Sequence, residues 1–130
     1  MATSKRLLIV DDNNEVLNNF HEFFSSMGYD VKTADDGFNA LKLLRSNSHN
    51  FNCLITDLVM PNISGIGLIS IVKKEYPHLK IIAMSGFSKP CELALEVAAD
   101  AVLPKPVDLF NMEKKVTTLL EVNTDINDFR

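Results

Sequence analysis

The sequence predicts an α/β protein, a five-stranded parallel sheet doubly wound by five helices, and three observations predict it. Short apolar runs and longer segments of helical spacing alternate five times along the chain. Runs such as Leu7-Leu8-Ile9-Val10 are continuously apolar, as strands covered on both faces require. Polar residues able to carry chemistry close four of the runs: Asp11 with Asp12, then Asp57, Ser85 and Lys105. Right-handed crossovers between parallel strands place the connecting helices on both faces of such a sheet.

Lys5 to Asp11 reads as the first strand, and Asn13 or Asn14 caps a helix whose apolar positions are Val16, Leu17, Phe20, Phe23, Phe24 and Met27. Gly28 supplies its left-handed stop. Tyr29 to Ala34 alternates in character, which suits a half-exposed strand near the sheet edge. Asp35-Asp36-Gly37 fits a turn and helix cap better than a second metal site. Phe38, Leu41 and Leu44 mark the next helix, and Phe51 to Asp57 the third strand. Ser64 caps a helix carrying Ile66, Ile69 and Val72, which Pro77 cannot prolong. Leu79 to Ser85 is the fourth strand. Pro90, Leu93, Ala94, Val97 and Ala98 outline a brief fourth helix before the last strand, Ala101 to Leu103. Asp108 then caps a helix with Leu109, Met112, Val116, Leu119 and Leu120 inward, and fraying is expected after Glu121. The expectation is one domain over residues 1–121 and a polar tail over 122–130.

A chain of 130 residues fits a single domain, and folding buries roughly two-thirds of the surface that its unfolded form exposes. A hydrophobic fraction of 46% excludes a disordered composition, and a formal charge of −4 speaks against general nucleic-acid binding. The apolar run from Leu7 to Val10 is too brief for a signal-peptide core or a membrane span, so a cytoplasmic protein without a membrane partner is expected. Cys53 and Cys91 read as two unpaired thiols, and His21, His49 and His78 join no constellation.

In doubly wound sheets, ligands bind beyond the carboxyl ends of the strands, at the switch point of the strand order. That rule gathers Asp11, Asp12, Asp57, Ser85 and Lys105 into one crevice. Carboxylates brought together repel unless a cation joins them, and an all-oxygen set suits magnesium. Magnesium keeps several waters, so Asp12 and Asp57 are expected as direct ligands and Asp11 as a ligand through water. Phosphoryl transfer needs an in-line nucleophile and neutralised equatorial oxygens. Asp57 can supply the first, the cation and Lys105 the second, and the Ser85 hydroxyl can bond a phosphoryl oxygen.

These residues resemble the receiver domain of two-component response regulators, including the single-domain chemotaxis regulators, over about Lys5 to Glu121. The resemblance lies in Leu8-Ile9-Val10-Asp11-Asp12, Ile55-Thr56-Asp57-Leu58-Val59-Met60-Pro61-Asn62-Ile63-Ser64-Gly65, Ile81-Ile82-Ala83-Met84-Ser85-Gly86 and Leu103-Pro104-Lys105-Pro106, in that order. It implies a flavodoxin-like sheet with strand order 2-1-3-4-5. It implies that Asp57 takes phosphate from a phosphohistidine of a histidine kinase or histidine phosphotransfer protein, and that the Val59 carbonyl completes the magnesium site. Such a domain is no enzyme acting on other substrates, but catalyses its own phosphorylation and dephosphorylation. A cis Lys105-Pro106 peptide and a downstream protein target are implied too, with the chain monomeric or dimerising on phosphorylation.

In that family, phosphorylation draws the residue at the position of Ser85 inward together with an aromatic residue on the last strand. Here the aromatic position is Val102, so the relay must run through backbone and helix movement, and the segment from Ser85 to Val102 is shorter than usual. Val59 and Phe87 flank the path of hydrolytic water and are both apolar, which implies slow self-dephosphorylation. A dehalogenase-type phosphatase would carry its nucleophile after the first strand with a second acid two residues on, and residue 13 is Asn. A dinucleotide-binding domain would need a glycine motif that the first turn lacks. The remaining alternative is a receiver-like protein-binding module regulated without phosphorylation.

Overall fold

Five strands, β1 (Arg6–Val10), β2 (Asp30–Ala34), β3 (Cys53–Asp57), β4 (Lys80–Ser85) and β5 (Ala101–Pro104), form one parallel sheet in the order β2-β1-β3-β4-β5. This is a computed structural model, and it describes residues 5–47, 50–60, 63–86 and 99–128. Among the described residues four helices accompany the sheet: α1 (Asn14–Ser26), α2 (Gly37–Asn47), α3 (Gly65–Glu75) and α4 (Leu109–Asp128). The brief helix expected over Pro90 to Ala98, with Cys91, lies outside the described residues.

Alternate residues of each strand face opposite sides of the sheet, and each side has its own apolar layer. Leu8, Val10, Leu54, Ile81 and Ala83 pack with Leu41 and Leu44 of α2 and Leu68, Ile69 and Val72 of α3. Leu7, Ile9, Cys53, Ile55, Ile82 and Met84 pack with Leu17, Phe20 and Phe24 of α1 and Met112 and Val116 of α4. β3 is buried along its whole length, whereas β2 alternates buried and exposed positions, as an edge strand should. The chain steps outward from β1 to β2 and then crosses back to β3, so the switch point falls between the ends of β1 and β3.

Helices start where side chains take up their orphan amides. Asn13 Oδ1 accepts from the amides of Glu15 and Val16, and Asp36 Oδ1 from Asn39 at 2.8 Å. Ser64 Oγ accepts from Gly67 at 3.1 Å, and Asp108 Oδ1 from Phe110 and Asn111. Just past α1 and its cap, Gly28 takes φ +96°, and the Tyr29 amide returns to the Phe24 carbonyl.

Besides one-residue shifts at the ends of β1, β2, β4 and β5, the structure departs from the sequence reading at four places. Met27 is 45% exposed, because it has left the helix as its C-terminal cap (φ −93°, ψ 4°). Phe38 is 54% exposed, because the inward register of α2 runs through Ala40, Leu41 and Leu44. β3 begins at Cys53 and not at Phe51: the Phe51 ring lies 5.2 Å from the Arg6 guanidinium, and Asn52 Oδ1 accepts from the Arg6 amide. α4 runs to Asp128, past Glu121.

One glycine ties the fold to its active end. The Gly65 amide donates to the Leu58 carbonyl at 3.0 Å, so α3 begins against the backbone that leaves β3. A β-carbon on Gly65 would lie 2.6 Å from Leu58 Cα and closer still to the Asp57 carbonyl oxygen. The obstacle is backbone and cannot rotate away. Gly65→Ala is expected to lower stability by about 1–3 kcal/mol, the cost of an overpacked interior. Urea unfolding measures it, and a variant as stable as the parent would contradict this packing.

Candidate functional site

The carboxyl ends of four strands meet at the switch point. β1 delivers Asp11 and Asp12, β3 delivers Asp57, β4 ends on Ser85, and β5 leads to Lys105. Asp11, Asp12 and Asp57 each place a carboxylate oxygen within 4.8 Å of the others. Asp11 and Asp57 are buried, and Asp12 is exposed. Lys105 Nζ bridges the buried pair, donating to Asp57 Oδ2 at 2.8 Å and to Asp11 Oδ2 at 3.1 Å.

Each group is held from behind. The Asn13 amide donates to Asp11 Oδ1 at 2.9 Å, and the Val59 amide to Asp57 Oδ1 at 3.3 Å. The Lys105 amide donates to the Ser85 carbonyl at 2.7 Å, directly after the Ser85↔Pro104 pair of the β4–β5 ladder, and the following Lys105-Pro106 peptide is cis. Ser85 itself is buried, and Val59 is 55% exposed. Of the residues singled out from the sequence, Asp11, Asp12, Asp57 and Lys105 meet through their side chains, Ser85 and Val59 meet them through backbone atoms, and His21 and His78 are exposed. Sequence reasoning passed over Thr56 and Gly65, which hold the backbone of Asp57. Their signals were a hydroxyl inside a fully buried strand and a glycine at a helix start.

Three acids facing one lysine leave excess negative charge, and the donor set is entirely oxygen. Such a set fits a hard divalent cation. Burial pulls Lys105 toward its neutral form, but the hydrogen bonds and charges of Asp57 and Asp11 outweigh it and raise its pKa above the ordinary lysine value. The ammonium therefore stays charged where it can meet an anion. Cys53, fully buried, has its thiol pushed up by desolvation and is inert by the same physics.

Residues 7–117 match the response regulator receiver domain. The response regulator receiver protein CpdR of Brucella abortus (strain 2308) is 31% identical over 121 residues, which are 89% of this chain and 97% of that protein. Of several other curated relatives the chain spans far less, from 13% to 50% of their length. A response regulator receiver domain from Clostridium thermocellum superposes with a TM-score of 0.87 at 25% identity, covering 94% of this chain and 98% of that one. The response regulator TrrA of Thermotoga maritima, in complex with Mg2+ and BeF, gives a TM-score of 0.80 at 31% identity, covering 89% and 99%. No helix among the described residues is long and apolar enough to cross a membrane.

The raised pKa of Lys105 makes a pH prediction. The folded state holds this proton more tightly than the unfolded chain, whose lysines titrate near about 10.4. The stabilisation is complete below that value and is lost as pH rises through the folded pKa. Urea midpoints from about pH 8 to about pH 11 should therefore fall more steeply for the parent than for Lys105→Gln. Parallel pH profiles would contradict the bridge.

Proposed function

This chain belongs to the response regulator receiver domains of two-component systems, and on that footing we propose that Asp57 accepts a phosphoryl group from a phosphohistidine. The observation that carries the reading is the Lys105 ammonium held between the buried carboxylates of Asp57 and Asp11, beside exposed Asp12. An Asp57 carboxylate oxygen forms the new bond to phosphorus in line with the departing nitrogen. The P–N bond breaks, and its electron pair returns to the imidazole of the donor.

Asp12 and Asp57 would hold magnesium directly, with the Val59 carbonyl beside them. Asp11 would act through water, since magnesium keeps several waters and takes only one or two carboxylates directly. When bound, magnesium supplies positive charge to the equatorial phosphoryl oxygens. Lys105 moves its hydrogen bond from the carboxylate to the phosphoryl group, and the Ser85 hydroxyl donates to another oxygen. Charge-assisted hydrogen bonds contribute about 1.5–3 kcal/mol each. Two of them approach the roughly 5.5 kcal/mol that turns a 1:99 equilibrium into 99:1. The switched surface then binds a downstream protein, with a histidine kinase or histidine phosphotransfer protein upstream and neither nucleic acid nor membrane as partner. The domain acts in the cytoplasm as a monomer or a phosphorylation-dependent dimer. It spans residues 1–121, with α4 continuing into the polar segment 122–130, and it catalyses only its own phosphorylation and dephosphorylation.

Val102 stands half-buried against the layer of α2 and α3, so the signal reaches the surface through β5 and the helices beside it, without a rotating ring. Val59 shields the acceptor from water on one side. Phe87, its counterpart in this role, lies outside the described residues. Two outcomes test the function. Intact mass after incubation with magnesium and a small phosphodonor should rise by one phosphoryl group in the parent and not in Asp57→Asn. No addition, or addition that survives Asp57→Asn, would favour a protein-binding module regulated without phosphorylation. Phe87→Ala should shorten the phosphoryl lifetime, and an unchanged lifetime would remove the shielding role.

A further inference from the structure

Thr56 is the one polar residue on β3 before the acceptor, and it is fully buried. Valine would match its shape and suit a buried parallel strand better. Thr56 points to the side of the sheet covered by α2 and α3, because it shares the parity of Leu54, whereas Ile55 packs on the opposite side.

The hydroxyl is spent on the backbone of the next residue. Thr56 Oγ1 donates to the Asp57 carbonyl at 2.9 Å. Asp57 lies just past the last β1–β3 pair, Val10↔Thr56, so it sits where the ladder with β1 gives out. On the other side of the same peptide, the Leu58 amide donates to the Met84 carbonyl at 3.1 Å. The Asp57–Leu58 peptide is thus held at both polar atoms, with the start of α3 packed against it at Gly65. The Asp57 side chain leaves from one end of this peptide. The Val59 amide, which donates to Asp57 Oδ1 at 3.3 Å, follows from the other.

We propose that Thr56 is a positioning residue for the acceptor site: its buried hydroxyl fixes the Asp57–Leu58 peptide plane, and through it the aim of the Asp57 carboxylate and of the Val59 backbone. The inference rests on Asp57 being the phosphoryl acceptor. In-line transfer depends steeply on alignment, and misplacement by about 1 Å can cost on the order of 100-fold in rate. The loss of one hydrogen bond to a peptide that is still anchored at Leu58 and Gly65 should cost less.

The test compares the parent with Thr56→Val, Thr56→Ser and Thr56→Ala, using magnesium and a small acyl phosphate as donor. In this assay an Asp57 oxygen bonds to phosphorus as the P–O bond to the acyl group breaks, and the electron pair leaves on the carboxylate. Thr56→Val should lower the maximal phosphorylation rate by about tenfold, within what such misalignment can cost, with the half-saturating donor concentration little changed. Thr56→Ser keeps the hydroxyl and should return the rate to within about twofold of the parent, an outcome that a purely space-filling role would not give. Should Thr56→Val fail to fold, Thr56→Ser against Thr56→Ala carries the same contrast between a hydroxyl and none. A hydroxyl-free variant as fast as the parent, or Thr56→Ser as slow as the hydroxyl-free variants, would overturn the positioning role alone. A parent that takes up no phosphoryl group would overturn the acceptor reading and this inference with it.

Discussion

The arrangement depends on one lysine lying between two buried carboxylates. Burying a charge is costly unless a partner and hydrogen bonds compensate it. Asp11 and Asp57 are both buried, and the ammonium of Lys105 sets an opposite charge between them, 3.1 Å from Asp11 and 2.8 Å from Asp57. Three strands must end in register for this to happen. β1 brings Asp11 and β3 brings Asp57, while β5 pairs with β4 as far as Ser85↔Pro104 and then hands the Lys105 amide to the Ser85 carbonyl. A slip of one residue in any of them would turn the acid or the lysine to the other face of the sheet.

Rigidity is supplied from below, and chemistry is left open above. β3 is buried throughout, packed between apolar layers on its two sides. The peptide after Asp57 is gripped by the Thr56 hydroxyl, the Met84 carbonyl and the first turn of α3. Asp12, by contrast, is exposed and lies where a cation can arrive from solvent. A site built this way holds the Asp57 carboxylate still and leaves its open side to solvent.

Much of this was legible in the sequence, because parallel strands covered on both faces leave continuous apolar runs and the topology then dictates where their ends meet. Leu7 to Val10 and Cys53 to Thr56 declare buried strands, and Asn13, Asp36, Ser64 and Asp108 declare helix starts. Less legible were features set by neighbours distant in sequence. The exposure of Met27 and Phe38 follows from where a helix stops and how it is rotated against the sheet, which spacing alone leaves open. Phe51 leaves the strand because Arg6 stacks on it from another element. Thr56 and Gly65 matter through single contacts with the Asp57 backbone, and no periodicity reports such contacts.

We propose that the carboxylate cluster holds a divalent cation shared by Asp12 and Asp57. Titration of the chain with magnesium in a calorimeter tests this most directly. One magnesium should bind per chain, with binding greatly weakened in Asp12→Asn and in Asp57→Asn. A parent chain that gives no binding heat and no magnesium-dependent change in stability, or an Asp12→Asn variant that binds as the parent does, would contradict it.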